Sequence, residues 1–276
     1  GGVVSTPIWF VNIIKHFFPD RFWISDQTKK SKLVRYLVDK VLFDEDDIIY
    51  LPKDNLVPVN EEIADEEGLV LPSQVIDHFI DQAGALFLMD TCLCRTADDC
   101  QDYPQDLGCL FMGEAVNKIN PKLGHMATKE EAKAHLQKCR EAGLVHLIGR
   151  NKIDTMWMGI GPGYKLMTVC NCCPCCCLYK TLPNLDVTIS KKIHAMPGVR
   201  VHVEGEECIG CGKCTDHVCF VDAIEMRDGH AFITDACRTC GNCVDVCPTG
   251  AIKLTIEHDT YIEQSIERLA EIVDVS

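Results

Sequence analysis

The sequence predicts an α+β chain, and three observations support that class. Apolar residues recur at helical spacing through the first third of the chain and again at its end. Short apolar runs such as "GALFLMD", residues 84–90, sit between turn residues, as strands do. Two copies of one cysteine-rich unit occupy residues 208–250 and are too loop-rich for a purely helical or purely stranded domain. With 276 residues, 47% of them apolar, a buried core is expected. The organisation read from these patterns is an apolar docking segment at 1–27 and a mainly helical region at 28–85. A Cys-rich domain at 86–200, a domain built on the cysteine repeat at 201–256 and a C-terminal helix at 257–276 follow.

In the first segment, "PIWFVNIIKHFFPDRFW", residues 7–23, Thr6 is placed to cap a helix that Pro7 starts and Pro19 ends. Only Asn12, Lys15 and His16 interrupt its apolar surface, so residues 7–18 are expected in the core or against a partner chain, or alternatively against a membrane surface. "SKLVRYLVDKVLF" puts Leu33, Leu37, Val41 and Leu42 on one helix face. After an acidic turn come short extended pieces broken by Pro52 and Pro58, then a helix with Val75, Phe79 and Ile80 inward. "TKEEAKAHLQKCREAG" carries a Thr128–Glu131 capping box and a Gly143 stop. Cys139 on that helix reads as a small buried hydrophobe. "HLIGRNKIDTMWMGIGPGYKLMTVC" reads as a hairpin or loop, and His146 as a packed helix-end residue. "YIEQSIERLAEIV" presents Ile262, Ile266, Leu269 and Val273 at helical spacing.

Net charge is −14, which argues against a nucleic-acid partner and suits a basic protein partner. No run of 18 apolar residues is present to span a bilayer. The chain opens on Gly, so it is read as beginning after processing, truncation or disorder. The odd count of 19 cysteines in a chain this long points to metal ligands in a reducing compartment, hence a cytoplasmic protein with the membrane surface as an alternative address.

"CIGCGKCTDHVCFVDAI" and "CRTCGNCVDVCPTGAI" are the two copies of the unit, with C-x2-C-x2-C spacing that lets one tight loop present three thiolates. This resembles the bacterial-type ferredoxin with two [4Fe-4S] clusters, over residues 203–256, a fifth of the chain. The resemblance implies crossed ligation. Cys208, Cys211, Cys214 and Cys247 would hold one cluster, and Cys237, Cys240, Cys243 and Cys219 the other. Four residues rather than three precede Cys219, and Phe220 stands where Pro248 stands in the second copy. Because "VDAI" still aligns with "TGAI", the extra residue is read as bulged out, with His217 as the alternative ligand.

The stretch "VCNCCPCCCLYK", residues 169–180, holds six cysteines in eight positions. With "CLCR", "GCLFMGEA" and "EAGLVH" it resembles ferredoxin-fused iron–sulfur proteins of anaerobic bacteria and archaea. Candidate ligands are Cys92, Cys94, Cys100, Cys109, Cys170, Cys172, Cys173, Cys175, Cys176 and Cys177, for one or two further iron–sulfur clusters, or for zinc. An extended run would place Cys173, Cys175 and Cys177 on one face and Cys172 and Cys176 on the other. Arg95 is placed to offset cluster charge or to pair at the surface. Three functions follow as expectations: a relay of single low-potential electrons to a redox partner or larger oxidoreductase complex, a reductase with an unusual cluster in the Cys-rich domain, or a structural subunit of a complex. No acid–base pair lies beside the Cys-rich stretch at motif spacing.

Overall fold

A computed structural model describes residues 5–56, 71–258 and 260–276. Residues 1–4 of the expected docking segment and Pro58 lie outside the described residues. The architecture is α+β. A seven-stranded sheet is built from β1 (Asp47–Tyr50), β2 (Leu86–Met89), β3 (Leu110–Met112), β4 (Gly124–Met126), β5 (Val145–Arg150), β6 (Met167–Cys172) and β7 (Ile193–Ala195). Their spatial order is β4-β2-β3-β6-β5-β1-β7. The β1–β7 pair is parallel and the other pairs are antiparallel. A strand from within 28–85 therefore belongs to the same sheet as the Cys-rich region.

The strands β2 and β3 are buried on both faces, which is why they read as unbroken apolar runs. On one face Leu86, Leu88, Leu110 and Ile148 meet the helices Gln74–Gln82 and Lys129–Glu141. On the other, Phe87, Met89 and Phe111 meet Val11 and the helix Lys152–Met158. The capping box at Thr128 and Glu131 is formed, and Cys139 is buried. The expected hairpin at 146–170 is two antiparallel neighbours, β5 and β6, but a helix capped by Asn151 lies between them. His146 is on β5, not at a helix end.

Two smaller ladders complete the chain: β8 (Val199–Val203) pairs with β11 (Ile252–Ile256), and β9 (Ile224–Arg227) with β10 (His230–Ile233). Their inward residues Val201, Ile224 and Ile252 share one core with the sheet and with Ile262, Leu269 and Val273 of the C-terminal segment. Ile266 packs against the same core.

The N-terminal helices differ from expectation. Pro7 precedes the helix Ile8–Phe17, but no side chain caps it, so Thr6 does not play that part. Val11 is buried while Trp9 is 64% exposed. Of the face read from the sequence, Leu33, Leu37 and Val41 point to solvent, with Leu33 67% exposed. Of that face only Leu42 packs on the core, together with Val38, and the winding changes over Asp39–Phe43 between Val38 and Leu42.

Candidate metal centres

The cysteine repeat folds into two loops of matching backbone. Gly210 and Thr239, each two residues after the first cysteine of its copy, both have positive φ, +67° and +55°. Gly212 and Gly241 match likewise at +72° and +87°. At Gly241 the conformation demands glycine, and a Cβ there would also displace the Leu56 side chain, whose Cδ1 it would approach to 2.3 Å. Asp222 and Gly250, each three residues after the last cysteine of its copy, also match, at +48° and +69°. The extra residue of the first copy is His217, left-handed at +55° with its side chain 93% exposed. It faces solvent and not the thiols.

One cavity is lined by Cys208, Cys211, Cys214 and Cys247, and a second by Cys219, Cys237, Cys240 and Cys243. Backbone amides donate to the sulfurs: Ala231 N to Cys208 Sγ at 3.4 Å, Ala223 N to Cys219 Sγ at 3.3 Å and Thr239 N to Cys237 Sγ at 3.4 Å. Such donors favour the thiolate and raise the potential of a bound cluster. Burial pushes the Cys240 thiol up to about 12, so an ionised set there calls for a bound cation.

The central cysteines fall into two groups. The expected alternation fails because β6 ends at Cys172 and the chain turns through Pro174. Cys173, Cys175 and Cys176 come together with Cys100, all four Sγ atoms lying within 4.8 Å of one another. Cys170, Cys172 and Cys177 lie elsewhere with Cys92, Cys94 and Cys109. Here Cys177 Sγ is 3.1 Å from Cys172 Sγ, and Cys109 Sγ is 4.0 Å from Cys170 Sγ. Cys92 hydrogen-bonds to Cys94, which lowers the Cys92 thiol to about 6, and the nearby charge of Arg95 adds to this.

Arg95 is 0% exposed and not at the surface. Its guanidinium donates to Pro104 O and Asn171 O, each at 2.7 Å, and to Leu107 O. Thiols of both groups act on its charge, Cys92, Cys172 and Cys109 from one and Cys173 from the other. A buried cation held only by carbonyls is expensive unless negative charge is nearby, which fits ionised, metal-bound thiolates around it. His146 Nδ1 is 2.8 Å from Asn171 Oδ1, and burial lowers its pKa to about 4, so it is neutral at pH 7.

Sequence reasoning missed Tyr50 and two acids, and gave Tyr179 no carboxylate or histidine partner. The buried hydroxyls of Tyr50 and Tyr179 have no hydrogen-bond partner. Burial raises both phenols well above the usual range, and neighbouring thiols, Cys177 among them in each case, add to it. An orphaned phenol O–H beside thiols fits a sulfur acceptor carrying negative charge. Asp154, fully enclosed, accepts from Asn151 Nδ2 at 2.8 Å, Trp157 Nε1 at 2.9 Å and Thr168 Oγ1 at 2.8 Å, and burial raises it to about 6. Burial raises Asp46 to about 8. Asp46 immediately precedes β1, 46 residues before Cys92, and Asp154 sits in the helix between β5 and β6, 16 residues before Cys170, so no motif spacing connects them to the thiols.

The repeat and its two thiol-lined cavities define an iron–sulfur domain. The 4Fe-4S binding domain family matches residues 230–253. An uncharacterized ferredoxin of Methanocaldococcus jannaschii is 34% identical over 62 residues, 21% of this chain and 80% of that one. Through this region the chain belongs to the ferredoxin family. The polyferredoxin protein MvhB of Methanothermobacter thermautotrophicus is 44% identical over 52 residues, and that of Methanothermobacter marburgensis 42% over 52. In each case the match covers 19% of this chain and only 12% of the relative's length. No solved structure matches the chain. Among the described residues no helix is long and apolar enough to cross a membrane.

Proposed function

We propose that this chain relays single low-potential electrons to a redox partner as a multi-cluster carrier or subunit of an anaerobic oxidoreductase complex. Cys208, Cys211, Cys214 and Cys247 hold one [4Fe-4S] cluster, Cys237, Cys240, Cys243 and Cys219 a second, and the set Cys92, Cys94, Cys109, Cys170, Cys172 and Cys177 a further iron–sulfur centre. Bound clusters of this kind supply one-electron transfer. The observation that carries the reading is a shared core. Tyr50 and Phe220, ring centroids 5.7 Å apart, pack with Cys172 and Cys177 on one side and with Cys219, Cys237 and Cys240 on the other. The chain thus encloses both thiol sets in one dry contact, which excludes water and keeps their separation fixed.

The test is anaerobic purification followed by iron and sulfide analysis and EPR on stepwise reduction. The reading expects more than eight irons per chain and at least two reducible cubane signals. Eight irons or fewer, with no further signal, would overturn the central iron–sulfur centre.

The N-terminal helices supply the docking face in this reading, and an anionic membrane surface is the occupant they fit. Trp9, Phe17, Trp23 and Leu33 are exposed. Between residues 8 and 43 there are seven Lys or Arg against three Asp, in a chain of net charge −14. Exposed aromatics beside basic side chains suit an anionic headgroup layer. Co-sedimentation with phosphatidylglycerol vesicles, lost in Trp9→Asp/Trp23→Asp, is expected; equal sedimentation of wild type with neutral and anionic vesicles counts against it.

A reductase is the second reading, on one observation: the charges of Cys170, Asp46 and Asp154 all act on the buried Tyr179 hydroxyl. That places proton-holding groups near the six-thiol set. Turnover of a small acceptor without any protein partner would favour this reading over relay.

A further inference from the structure

The tight quartet of cysteines has a size that the other thiols do not. Its Sγ–Sγ separations include 3.5 Å for Cys100 and Cys175, 3.3 Å for Cys173 and Cys175, and 3.4 Å for Cys175 and Cys176. Four thiolates bound at about 2.3 Å to one tetrahedral ion stand about 3.8 Å apart along each edge. Thiolates of a cube sit on four different irons and must stand farther apart. The ferredoxin thiols provide the measure inside the same molecule. Among the described residues, the quartet is the set of three or more cysteine, histidine or carboxylate groups whose ligand atoms all lie within 4.8 Å. No three of the eight ferredoxin cysteines meet that limit.

We propose that Cys100, Cys173, Cys175 and Cys176 form a mononuclear tetrathiolate centre that holds one soft divalent ion, zinc or iron(II), without bridging sulfide. Four sulfur donors in a tetrahedron select zinc or iron. Cys100, Cys173 and Cys176 are buried and Cys175 is half-buried, so the protein supplies the whole coordination shell and the site is closed. The ligands come from two loops. Cys100 follows Asp99, whose φ of +47° turns the chain into the site. The other three come from the turn after β6. The ion ties these loops together over Leu144 and Cys139, with which Cys100, Cys173 and Cys176 form a small separate core. That core excludes Tyr50 and Phe220, so the ion lies outside the contact that joins the six-thiol set to the ferredoxin thiols. Four thiolates and a divalent ion leave two negative charges, and Arg95, on which Cys173 acts, is the buried cation beside them.

The inference does not depend on electron relay, and one experiment separates the two. Full-length wild type and Cys100→Ser/Cys175→Ser are purified anaerobically and analysed for zinc, iron and acid-labile sulfide. The expected result is the loss of one zinc per chain, or of one iron with no sulfide, while the cubane EPR signals persist. Loss of iron and sulfide together would overturn the proposal, as would identical metal content in the two proteins. If the variant does not accumulate, the wild type decides. One zinc per chain with a sulfur-only shell near 2.3 Å in zinc-edge absorption supports the centre, as does one iron in excess of sulfide. Equal iron and sulfide with no zinc overturns it.

Discussion

Eight cysteines of the repeat and ten of the central region are the same residue type in one protein, yet they are arranged on different plans. The repeat spreads its thiols around two cavities with positive-φ residues between them. The central region crowds its thiols sulfur to sulfur, down to 3.1 Å between Cys172 and Cys177. The difference shows what spacing controls. Three cysteines at two-residue spacing, with a fourth supplied by the other copy, wrap the backbone around each cavity. Ligands separated by one residue or none, as in Cys173-Pro174-Cys175-Cys176, converge on something small. Cysteine count alone therefore does not measure cluster count.

The largest effect is expected where the two copies are crossed. Cys219→Ser should abolish the cubane signal assigned to Cys237, Cys240 and Cys243 and leave the Cys208, Cys211, Cys214 and Cys247 signal intact. Matched φ at Asp222 and Gly250 sets that register. EPR of the reduced variant checks it, and two unchanged signals would break the assignment.

This register was legible in the sequence because "VDAI" and "TGAI" align across an inserted residue, which the structure places at exposed His217. The capping box at Thr128 and the apolar face of the C-terminal helix were equally legible, being local patterns. The partition of the central cysteines was not. It depends on where β6 stops, and on Cys100 arriving from a loop about 70 residues earlier in the chain. Periodicity also could not tell which side of the Leu33–Val41 stripe would be covered. An apolar stripe records a contact without saying whether the partner is inside the chain. Arg95 was legible as a charge partner for a cluster, but its burial, like that of the Tyr50 hydroxyl, was not: burial of a polar side chain is a property of the assembled core.

Next in size is Arg95→Met. It strips donors from Pro104 O, Asn171 O and Leu107 O together and removes the cation among the central thiols. Each buried carbonyl left without a partner costs about 1–3 kcal/mol, so a marked fall in Tm and loss of central metal are expected, with the ferredoxin signals retained in the folded fraction. Arg95→Lys should recover little, because a single ammonium cannot span three carbonyls. Rescue by lysine to wild-type metal content would show that charge alone matters.

Tyr50→Phe sharpens the comparison at the boundary between the two regions. If the buried hydroxyl truly lacked a partner, its removal would stabilise the protein by about 1–3 kcal/mol. A hydroxyl that donates to a metal-bound sulfur instead predicts no stabilisation and a lower reduction potential, because a donor favouring the reduced form is lost. Our reading expects the second outcome. Potentiometric EPR and thermal melts of the same sample distinguish them.

The smallest effect is a change in pH dependence confined to the central half. Burial raises Asp46 to about 8, and its Oδ1 accepts from Lys152 N at 2.6 Å while Oδ2 has no partner. The native chain therefore keeps a proton that the unfolded chain releases at about pH 4. A raised folded pKa means that this contribution is fully present below about pH 4 and is lost as pH climbs to about 8. Asp46→Asn keeps an acceptor for Lys152 N and removes the ionisation. Asp154, raised to about 6 by the same cause, still titrates in the variant. The Tm of Asp46→Asn should thus fall less steeply than that of wild type between pH 4 and 6, where only Asp154 still titrates in it, and flatten between 6 and 8, while wild type continues to fall. Melts in buffers across that range decide it. A parallel decline of both proteins above pH 6 would mean that Asp46 is already ionised in the folded chain, and that the central thiols, not this carboxyl, set the alkaline limit of the sheet that carries them.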